Sequence, residues 1–227
     1  MRLPPSQIYH GPLNGAANWQ DKTVEEMERF WASLPLASYR PAIDRQLKSA
    51  GIPREFQNCT FQTLNPTYCP AAYDACLEFA NTGKFQGKNG LLLIGPPGTG
   101  KSSLAVAVMA QTCERIRGQQ GVHFWNPAKG LSQIRQSFNS GDQAEGVLDF
   151  LCNYLLVLDD LGKQKMTEWA GEQLYMLIDT LWEEHKKVII TTNVSTEALV
   201  GSMDPALVSR ILGICAEVPV TGGDWRV

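Results

Sequence analysis

A lysine stands inside a glycine-rich loop that directly follows four apolar residues, in the segment LLLIGPPGTGKSS at positions 91–103. The loop fits the pattern G-x-x-x-x-G-K-[ST] between a predicted buried strand and a predicted helix. Glycine lets successive backbone N–H groups turn inward, and the helix N-terminus adds positive potential there. A lysine ammonium and a serine hydroxyl suit the phosphates and the Mg²⁺ of a nucleotide. We therefore predict that ATP or ADP binds with Mg²⁺ here, at Gly95, Pro96, Pro97, Gly98, Thr99, Gly100, Lys101, Ser102 and Ser103.

Two adjacent acids follow a second apolar run, LLVLDD at positions 155–160. A triphosphate site needs a carboxylate for its metal ion, and acids at the end of a parallel strand reach the required edge of the sheet. Asp159 is predicted to hold Mg²⁺ through water, together with Ser102. Asp160 is predicted to polarise the attacking water. The alternative for Asp160 is that it caps the following turn.

Two further polar residues are predicted to act on the same phosphate. Asn193 ends the strand segment TTN and would orient the water and contact the γ-phosphate, or else form an ordinary Asx turn into a helix at Ser195. Arg210 lies in the middle of the predicted helix DPALVSRIL, near the same edge of the sheet. Its guanidinium would stabilise charge in the site of a neighbouring subunit. A solvated surface arginine is the alternative.

The elements that must position these residues alternate along the second part of the chain. Alternation of apolar strands with helices predicts a parallel sheet covered on both faces. The predicted strands cover 91–94, 122–125, 154–160, 187–193 and an edge strand at 216–220. The predicted helices cover 101–117, 127–138, 167–185 and 204–214.

The first part of the chain is predicted to be mostly helical. A flexible lead at 1–22 precedes predicted helices at 23–34, 41–53 and 70–83. We divide the chain into residues 1–85, a helical region for partner docking, and residues 86–227, an ATPase domain.

Composition limits the function classes. Hydrophobic residues make up 44% and charged residues 19%, which suits a packed core. The net charge of −3 gives no overall basic field, so nucleic-acid contact requires a local basic patch or several subunits. No apolar run approaches a membrane span, and the N-terminus lacks the apolar core of a secretory signal, so a cytoplasmic protein is expected.

The cysteines are predicted to be reduced thiols. None of the six forms a C-x-x-C pair, and buried thiols are the expected state in the cytosol. A zinc site from Cys59, Cys69 and Cys76 is the alternative, with poor spacing for one.

Taken together, these motifs resemble the AAA+ ATPases. More narrowly, the chain is similar to the DnaC/IstB branch, which contains bacterial and phage replicative helicase loaders and the ATPase helpers of insertion-sequence transposases. The resemblance runs from about Gly51 to Arg226 and is carried by GIPREFQNCTF, GPPGTGKSSLA, LLVLDDLGKQKMTEWAGEQLYMLID, VIITTN, DPALVSRI and GGDWR.

The resemblance implies a P-loop NTPase fold: a parallel five-stranded sheet sandwiched by helices, with a small helical N-terminal region and no C-terminal lid domain. It implies a Walker A loop at Gly95–Ser102 and a Walker B motif ending in Asp159 and Asp160. Asn193 would be sensor 1 and Arg210 the finger that acts on the next subunit. Arg226 would be a sensor-2-like contact, and Ile52 and Phe56 would touch the adenine.

The chain departs from the family pattern at the second acid of Walker B. Many AAA+ proteins carry Glu where this chain has Asp160, and the shorter side chain suits slow hydrolysis. Some helicase loaders also carry an N-terminal zinc-binding cysteine cluster, and none is visible here.

The function implied is an ATP-dependent helicase loader. It would form a homo-oligomeric ring or spiral on ATP, bind single-stranded DNA and deliver a DnaB-type replicative helicase. The candidate DNA contacts are Lys129, Arg135, Lys163 and Lys165. An IstB-type transposase helper on duplex DNA and a slow or non-hydrolysing nucleotide-dependent scaffold are the alternatives.

Overall fold

A computed structural model describes residues 35–118, 120–132, 154–162 and 167–223. Its α-helices are α1 (Arg40–Ser49), α2 (Pro70–Thr82), α3 (Lys101–Arg115), α4 (Glu168–Glu183), α5 (Thr196–Ser202) and α6 (Pro205–Ile214). Its strands are β1 (Gly90–Ile94), β2 (Val122–Trp125), β3 (Leu155–Leu161), β4 (Lys187–Thr192) and β5 (Cys215–Pro219). Short 3₁₀ helices cover Leu36–Tyr39, Arg54–Phe56 and Pro66–Tyr68, and residues 127–132 are helical.

The strands form one sheet in the order β2-β3-β4-β1-β5, and every neighbouring pair is parallel. β1 therefore lies between β4 and β5, so the glycine loop follows an internal strand of the sheet and not an edge strand. This confirms the predicted α/β fold and the position of the last strand at an edge.

Helices cover both faces of the sheet. Side chains alternate between the faces along each strand, so Leu91 and Leu93 join one hydrophobic cluster while Leu92 joins the other. The first cluster also contains Ile43 of α1 and Phe79 of α2 together with residues of α3. The second contains residues of α4, α5 and α6. The helices that precede β1 thus share a core with the helix that follows the glycine loop.

Several elements end at other residues than the sequence predicts. α1 stops at Ser49 because Gly51 takes a left-handed φ of +80°, and a Cβ there would lie 2.9 Å from the Phe124 carbonyl oxygen. α3 stops at Arg115, before Arg117 and Gly118, which are both left-handed.

Two differences fall beside the predicted site. β3 continues past the two acids to Leu161. The segment after β4 forms α5, of which the sequence indicated only a start at Ser195, and the Ser195 Oγ accepts the Ala198 N–H there. The predicted helix at 23–34 and the second half of the predicted helix at 127–138 lie outside the described residues.

Candidate nucleotide site

The glycine loop is built at the C-terminal end of β1. Gly98 and Gly100 have φ of +83° and +86°, a region that glycine enters without steric cost. Gly95 leaves no room for a side chain, because a Cβ there would collide with the Val220 carbonyl oxygen. Gly100 is also the N-cap of α3, so the loop leads directly into a helix N-terminus. Such conformations are typical of loops whose N–H groups turn toward a phosphate.

The side chain of the loop lysine folds back onto the first residues of the loop. The Lys101 side chain is largely buried, and its Nζ donates to the carbonyl oxygens of Gly95 at 2.7 Å and Pro96 at 2.6 Å. Thr99 is buried as well, and its hydroxyl donates to the Pro96 carbonyl oxygen at 2.9 Å. The ammonium is thereby kept at the centre of the loop.

A serine and an aspartate from different elements meet at the start of α3. The Ser102 hydroxyl donates to Asp159 Oδ1 at 2.6 Å, which joins α3 to β3. Hydroxyl and carboxylate oxygens are the ligands that Mg²⁺ prefers. The two side chains therefore fit the predicted role of holding the metal ion of a bound nucleotide.

The two adjacent acids lie on a β-bulge. β3 and β4 pair regularly up to Leu158 opposite Ile190 and resume at Leu161 opposite Thr192, so β3 holds one extra residue. Asp160 takes a φ of +65°, which is uncommon for a residue other than glycine. The bulge, and not the regular alternation of a strand, therefore sets the directions of both carboxylates.

Asn193 contacts the second acid. Its Nδ2 donates to Asp160 Oδ1 at 2.7 Å. The end of β4 is thereby joined to the end of β3, and the role of Asn193 toward water and the γ-phosphate remains a prediction.

Sequence reasoning missed Thr191, which joins the two acids. Its hydroxyl donates to Asp159 Oδ1 at 2.9 Å and accepts the backbone N–H of Asp160 at 2.9 Å. The side chain is buried. The only signal in the sequence was its place two residues before Asn193.

Asn126 was also missed. It follows β2, and its Nδ2 donates to the Asp159 carbonyl oxygen at 3.1 Å. Its Oδ1 accepts the N–H of Lys129, which is exposed on the helical segment 127–132. The remaining predicted DNA contacts, Arg135, Lys163 and Lys165, lie outside the described residues, as does Arg226.

Ile52 and Phe56 are half-buried and pack against the first core cluster. The Phe56 ring lies 6.4 Å from the ring of Phe124 on β2, whose N–H donates to the Ala50 carbonyl oxygen. This segment is therefore fixed to β2, and its contact with adenine remains a prediction.

Arg210 lies on the outer face of α6, where it contacts α4. Its Nη2 forms an ion pair with Asp179 Oδ1 at 2.9 Å, and its guanidinium lies 5.6 Å from the centre of the Trp182 ring. A hydrogen bond with Tyr175 and the charge of Asp179 raise the pKa of Arg210. The guanidinium is thus held on a partly exposed surface of its own subunit, and its action on a neighbour remains a prediction.

The described cysteines are free thiols. Cys59 is half-buried, and Cys69, Cys76, Cys113 and Cys215 are buried. Burial raises the pKa of Cys113 to about 12. Within the described ranges, no group of three or more His, Cys, Asp or Glu side chains is arranged to hold a metal ion. None of the helices described is long and apolar enough to cross a membrane.

Two comparisons with solved structures and curated proteins agree with this fold. The chain resembles the solved structure of the DnaC helicase loader at 24% sequence identity and a TM-score of 0.64; the match covers 74% of this chain and 100% of that one. It also resembles DnaI at 17% identity and a TM-score of 0.63, and this match covers 79% of this chain and 98% of that one. One relative is the uncharacterized protein YqaM of Bacillus subtilis strain 168, which is 25% identical over 92% of this chain and 67% of its own length. Another is the uncharacterized protein YdaV of Escherichia coli strain K12, which is 25% identical over 99% of this chain and 87% of its own length.

A protein-family model described as IstB-like ATP binding protein matches residues 59–227. The match covers most of the chain and includes the glycine loop, both acids of the bulge, Asn193 and Arg210. The chain therefore belongs to the IstB-like ATP-binding proteins.

Proposed function

We propose that this protein is an ATP-dependent helicase loader. Its subunits assemble on ATP, bind single-stranded DNA and deliver a DnaB-type replicative helicase. The observation that carries the ATP-hydrolysis part of the proposal is a continuous set of hydrogen bonds at the carboxyl edge of the sheet, from Ser102 through Asp159, Thr191 and Asp160 to Asn193. A fold that matches the whole length of a helicase loader supports the same proposal.

The bound nucleotide, with Mg²⁺, supplies the phosphoryl group that is transferred to water. Lys101 neutralises phosphate charge from the centre of the loop, where carbonyl oxygens now hold its ammonium. Ser102 would provide an oxygen ligand for the metal ion, and Asp159 would hold the ion through water. The Asp160 carboxylate orients the attacking water and takes up its proton, while the Asn193 amide fixes Oδ1 of that carboxylate.

Hydrolysis requires an assembly of subunits. Arg210 lies on the α4–α6 surface, where it pairs with Asp179 and not with the acids of the bulge. We propose that this guanidinium enters the site of an adjacent copy. Repetition of each subunit's basic groups around a ring or spiral then supplies the charge for DNA binding, despite a net charge of −3 per chain.

Binding to a helicase tests the loader proposal. The full chain is mixed with a DnaB-type hexamer and separated by size, with and without ATP. We expect co-elution that ATP strengthens, and Lys101→Ala is expected to remove the ATP-dependent part. Absence of binding to helicases, together with tight binding to duplex DNA, would instead support a transposase helper, the second candidate, which the IstB-like family match favours.

ATP turnover tests the assignment of Asp160. We expect slow hydrolysis that single-stranded DNA stimulates. Asp160→Asn is expected to lower turnover by about 10²-fold or more while ATP still binds, because the amide cannot accept the proton. Unchanged turnover in Asp160→Asn would remove Asp160 from this role, and an inactive wild-type protein that binds ATP would indicate a nucleotide-dependent scaffold.

A further inference from the structure

Positive side chains converge at the edge of the sheet opposite the glycine loop. Arg115 is the last residue of α3, Lys187 is the first of β4, and Lys84 follows α2. A Cβ at Gly83 would lie 3.3 Å from Lys187 Cε, 3.4 Å from Arg115 Nη2 and 3.7 Å from the Tyr154 hydroxyl oxygen. Gly83 is left-handed, with φ of +74°, and the absence of a side chain lets these groups approach its backbone closely. We call Lys84, Arg115, Tyr154 and Lys187 the Gly83 cluster.

Lys187 and Arg115 donate hydrogen bonds to neutral acceptors. Lys187 Nζ donates to Asn89 Oδ1 at 2.9 Å. Arg115 donates to the Ala80 carbonyl oxygen at 2.9 Å and to the Tyr154 hydroxyl at 2.8 Å. The ion pairs within the described ranges involve other cations, namely Arg40, Lys186 and Arg210. Like charges thus stand together here without carboxylates among the described residues to neutralise them.

The electrostatics of Lys187 agree with this geometry. Burial lowers the pKa of Lys187, and the charges of Lys84 and Arg115 lower it further. Within the part of the chain that the structure describes, no carboxylate acts on this group in the opposite direction. Unfavourable like-charge contact that a fold retains is a feature of binding sites, where a ligand supplies the missing charge.

Capping of α2 accounts for only one of these cations. A helix C-terminus favours a nearby positive charge, and Arg115 provides it through the Ala80 carbonyl oxygen. Lys187 is held by the Asn89 amide instead, on a different element. The cluster therefore holds more positive charge than the helix end requires.

We propose that the Gly83 cluster binds a backbone phosphate of single-stranded DNA. A lysine ammonium has three protons, and Lys187 uses one of them on Asn89. The Tyr154 hydroxyl accepts from Arg115 and keeps its own proton to donate. The site lies at the opposite end of the strands from the glycine loop, so a strand bound here does not compete with nucleotide. The phosphate site stands on the cluster alone, whereas its assignment to DNA rests on the proposed function.

Adjacent lysines provide a matched pair of variants. Lys187→Gln removes a cation of the cluster, whereas Lys186→Gln removes a neighbour that already pairs with Glu184 at 3.3 Å. Binding of an oligo-dT strand is measured across a range of salt concentrations in the presence of ADP and Mg²⁺. We expect Lys187→Gln to weaken binding and to reduce the salt slope by about 0.7 for each DNA phosphate that is no longer neutralised. Lys186→Gln is expected to keep the wild-type slope.

Two further measurements separate the possible outcomes. The thermal midpoint of Lys187→Gln should equal or exceed that of wild type, because a like charge has been removed, so weakened DNA binding with an unchanged midpoint excludes misfolding. Inorganic phosphate, added with the glycine loop saturated by ADP, should raise the midpoint of wild type and Lys186→Gln more than that of Lys187→Gln.

Equal behaviour of the two variants in both the DNA and the phosphate measurements would overturn the site. A difference with phosphate but not with oligo-dT would support the phosphate site and overturn its assignment to DNA. If wild type binds no DNA at all, the proposed function fails, and the phosphate measurement still decides whether the site exists.

Discussion

Thr191 is the residue that makes the two acids of the bulge act as one unit. Its single hydroxyl proton goes to the Asp159 carboxylate, and its lone pair accepts the N–H of Asp160. Ser102 donates to the same oxygen of Asp159. If Ser102 binds a metal ion as proposed, Thr191 would still hold this carboxylate and fix the backbone of the next residue.

Replacement of Thr191 by valine is therefore expected to lower ATP turnover by about tenfold or more. Valine preserves the shape but removes a hydrogen bond to a charged group, worth about 1.5–3 kcal/mol, which corresponds to that change in rate. ATP binding should change less than turnover. The measurement is steady-state hydrolysis over a range of Mg²⁺ concentrations.

Thr192→Val is the control for this substitution. The Thr192 hydroxyl is equally buried, donates to the Leu161 carbonyl oxygen and accepts the Val194 N–H, and it contacts neither acid. Thr192→Val should lower the free energy of unfolding by an amount similar to that of Thr191→Val, with little loss of ATP turnover. Equal losses of turnover in the two variants would contradict the role of Thr191.

The sequence predicted the residues that local motifs define and missed two that reach the acids across paired strands. Lys101 and Ser102 follow from one loop, and Asp159 and Asp160 from one strand. Thr191 and Asn126 reach the acids only because β3 lies between β2 and β4 and carries a bulge. No local pattern reports that register.

At the scale of elements, the predicted alternation of strands and helices is present with shifted ends. The apolar strands were recognisable because burial on both faces requires continuous apolar runs. The bulge in β3 was not, because two acids after an apolar run look like the end of a strand. The extent of α5 was not predicted, because the helix has only seven residues and depends on its cap.

Close contact of α6 with α4 gives a prediction at this scale. A Cβ at Gly213 of α6 would collide with the ring of Trp182 on α4. Alanine at this position must displace the ring on which Arg210 lies. We expect Gly213→Ala to lower the free energy of unfolding by about 1 kcal/mol, as overpacking does.

Gly171→Ala is the matched control in a helix. A Cβ at Gly171 of α4 meets nothing within 4 Å. Alanine should therefore raise the stability by about 0.5–1 kcal/mol, the usual gain over glycine within a helix. Denaturant unfolding of both variants checks the opposite signs, and a stabilised Gly213→Ala would show that α6 does not need this close approach.

At the scale of the whole molecule, the candidate catalytic groups lie on two separate surfaces. The loop, the acids and Asn193 share the carboxyl edge of the sheet, while Arg210 lies on the outer face of α6, against α4. A head-to-tail contact between copies would bring the two surfaces together. Each subunit would then supply the loop, the acids and Asn193 to one site and its Arg210 to the site of the next subunit.

Mixing of defective subunits tests this arrangement. Arg210→Ala and Lys101→Ala are each expected to be inactive alone. At equal amounts, about one quarter of head-to-tail contacts join an intact Lys101 site to an intact Arg210, so activity should return to roughly that fraction. ATP turnover of the mixtures is the measurement.

A double variant provides the control for mixing. The control is a mixture of the Lys101→Ala chain with a chain that carries both Lys101→Ala and Arg210→Ala. This mixture contains no intact Lys101, so it should stay inactive at every ratio. If the two single variants fail to rescue each other at any ratio, Arg210 acts within its own subunit or has no part in hydrolysis.

The left-handed backbone at Asp160 has a consequence for laboratory evolution of this protein. Residues held in this conformation cost about 1–3 kcal/mol, and glycine would relieve most of that cost while it deletes the carboxylate. A library sorted only for expression or heat resistance will therefore enrich chains that have lost turnover. Selection for yield must be coupled to phosphate release if active chains are to survive it.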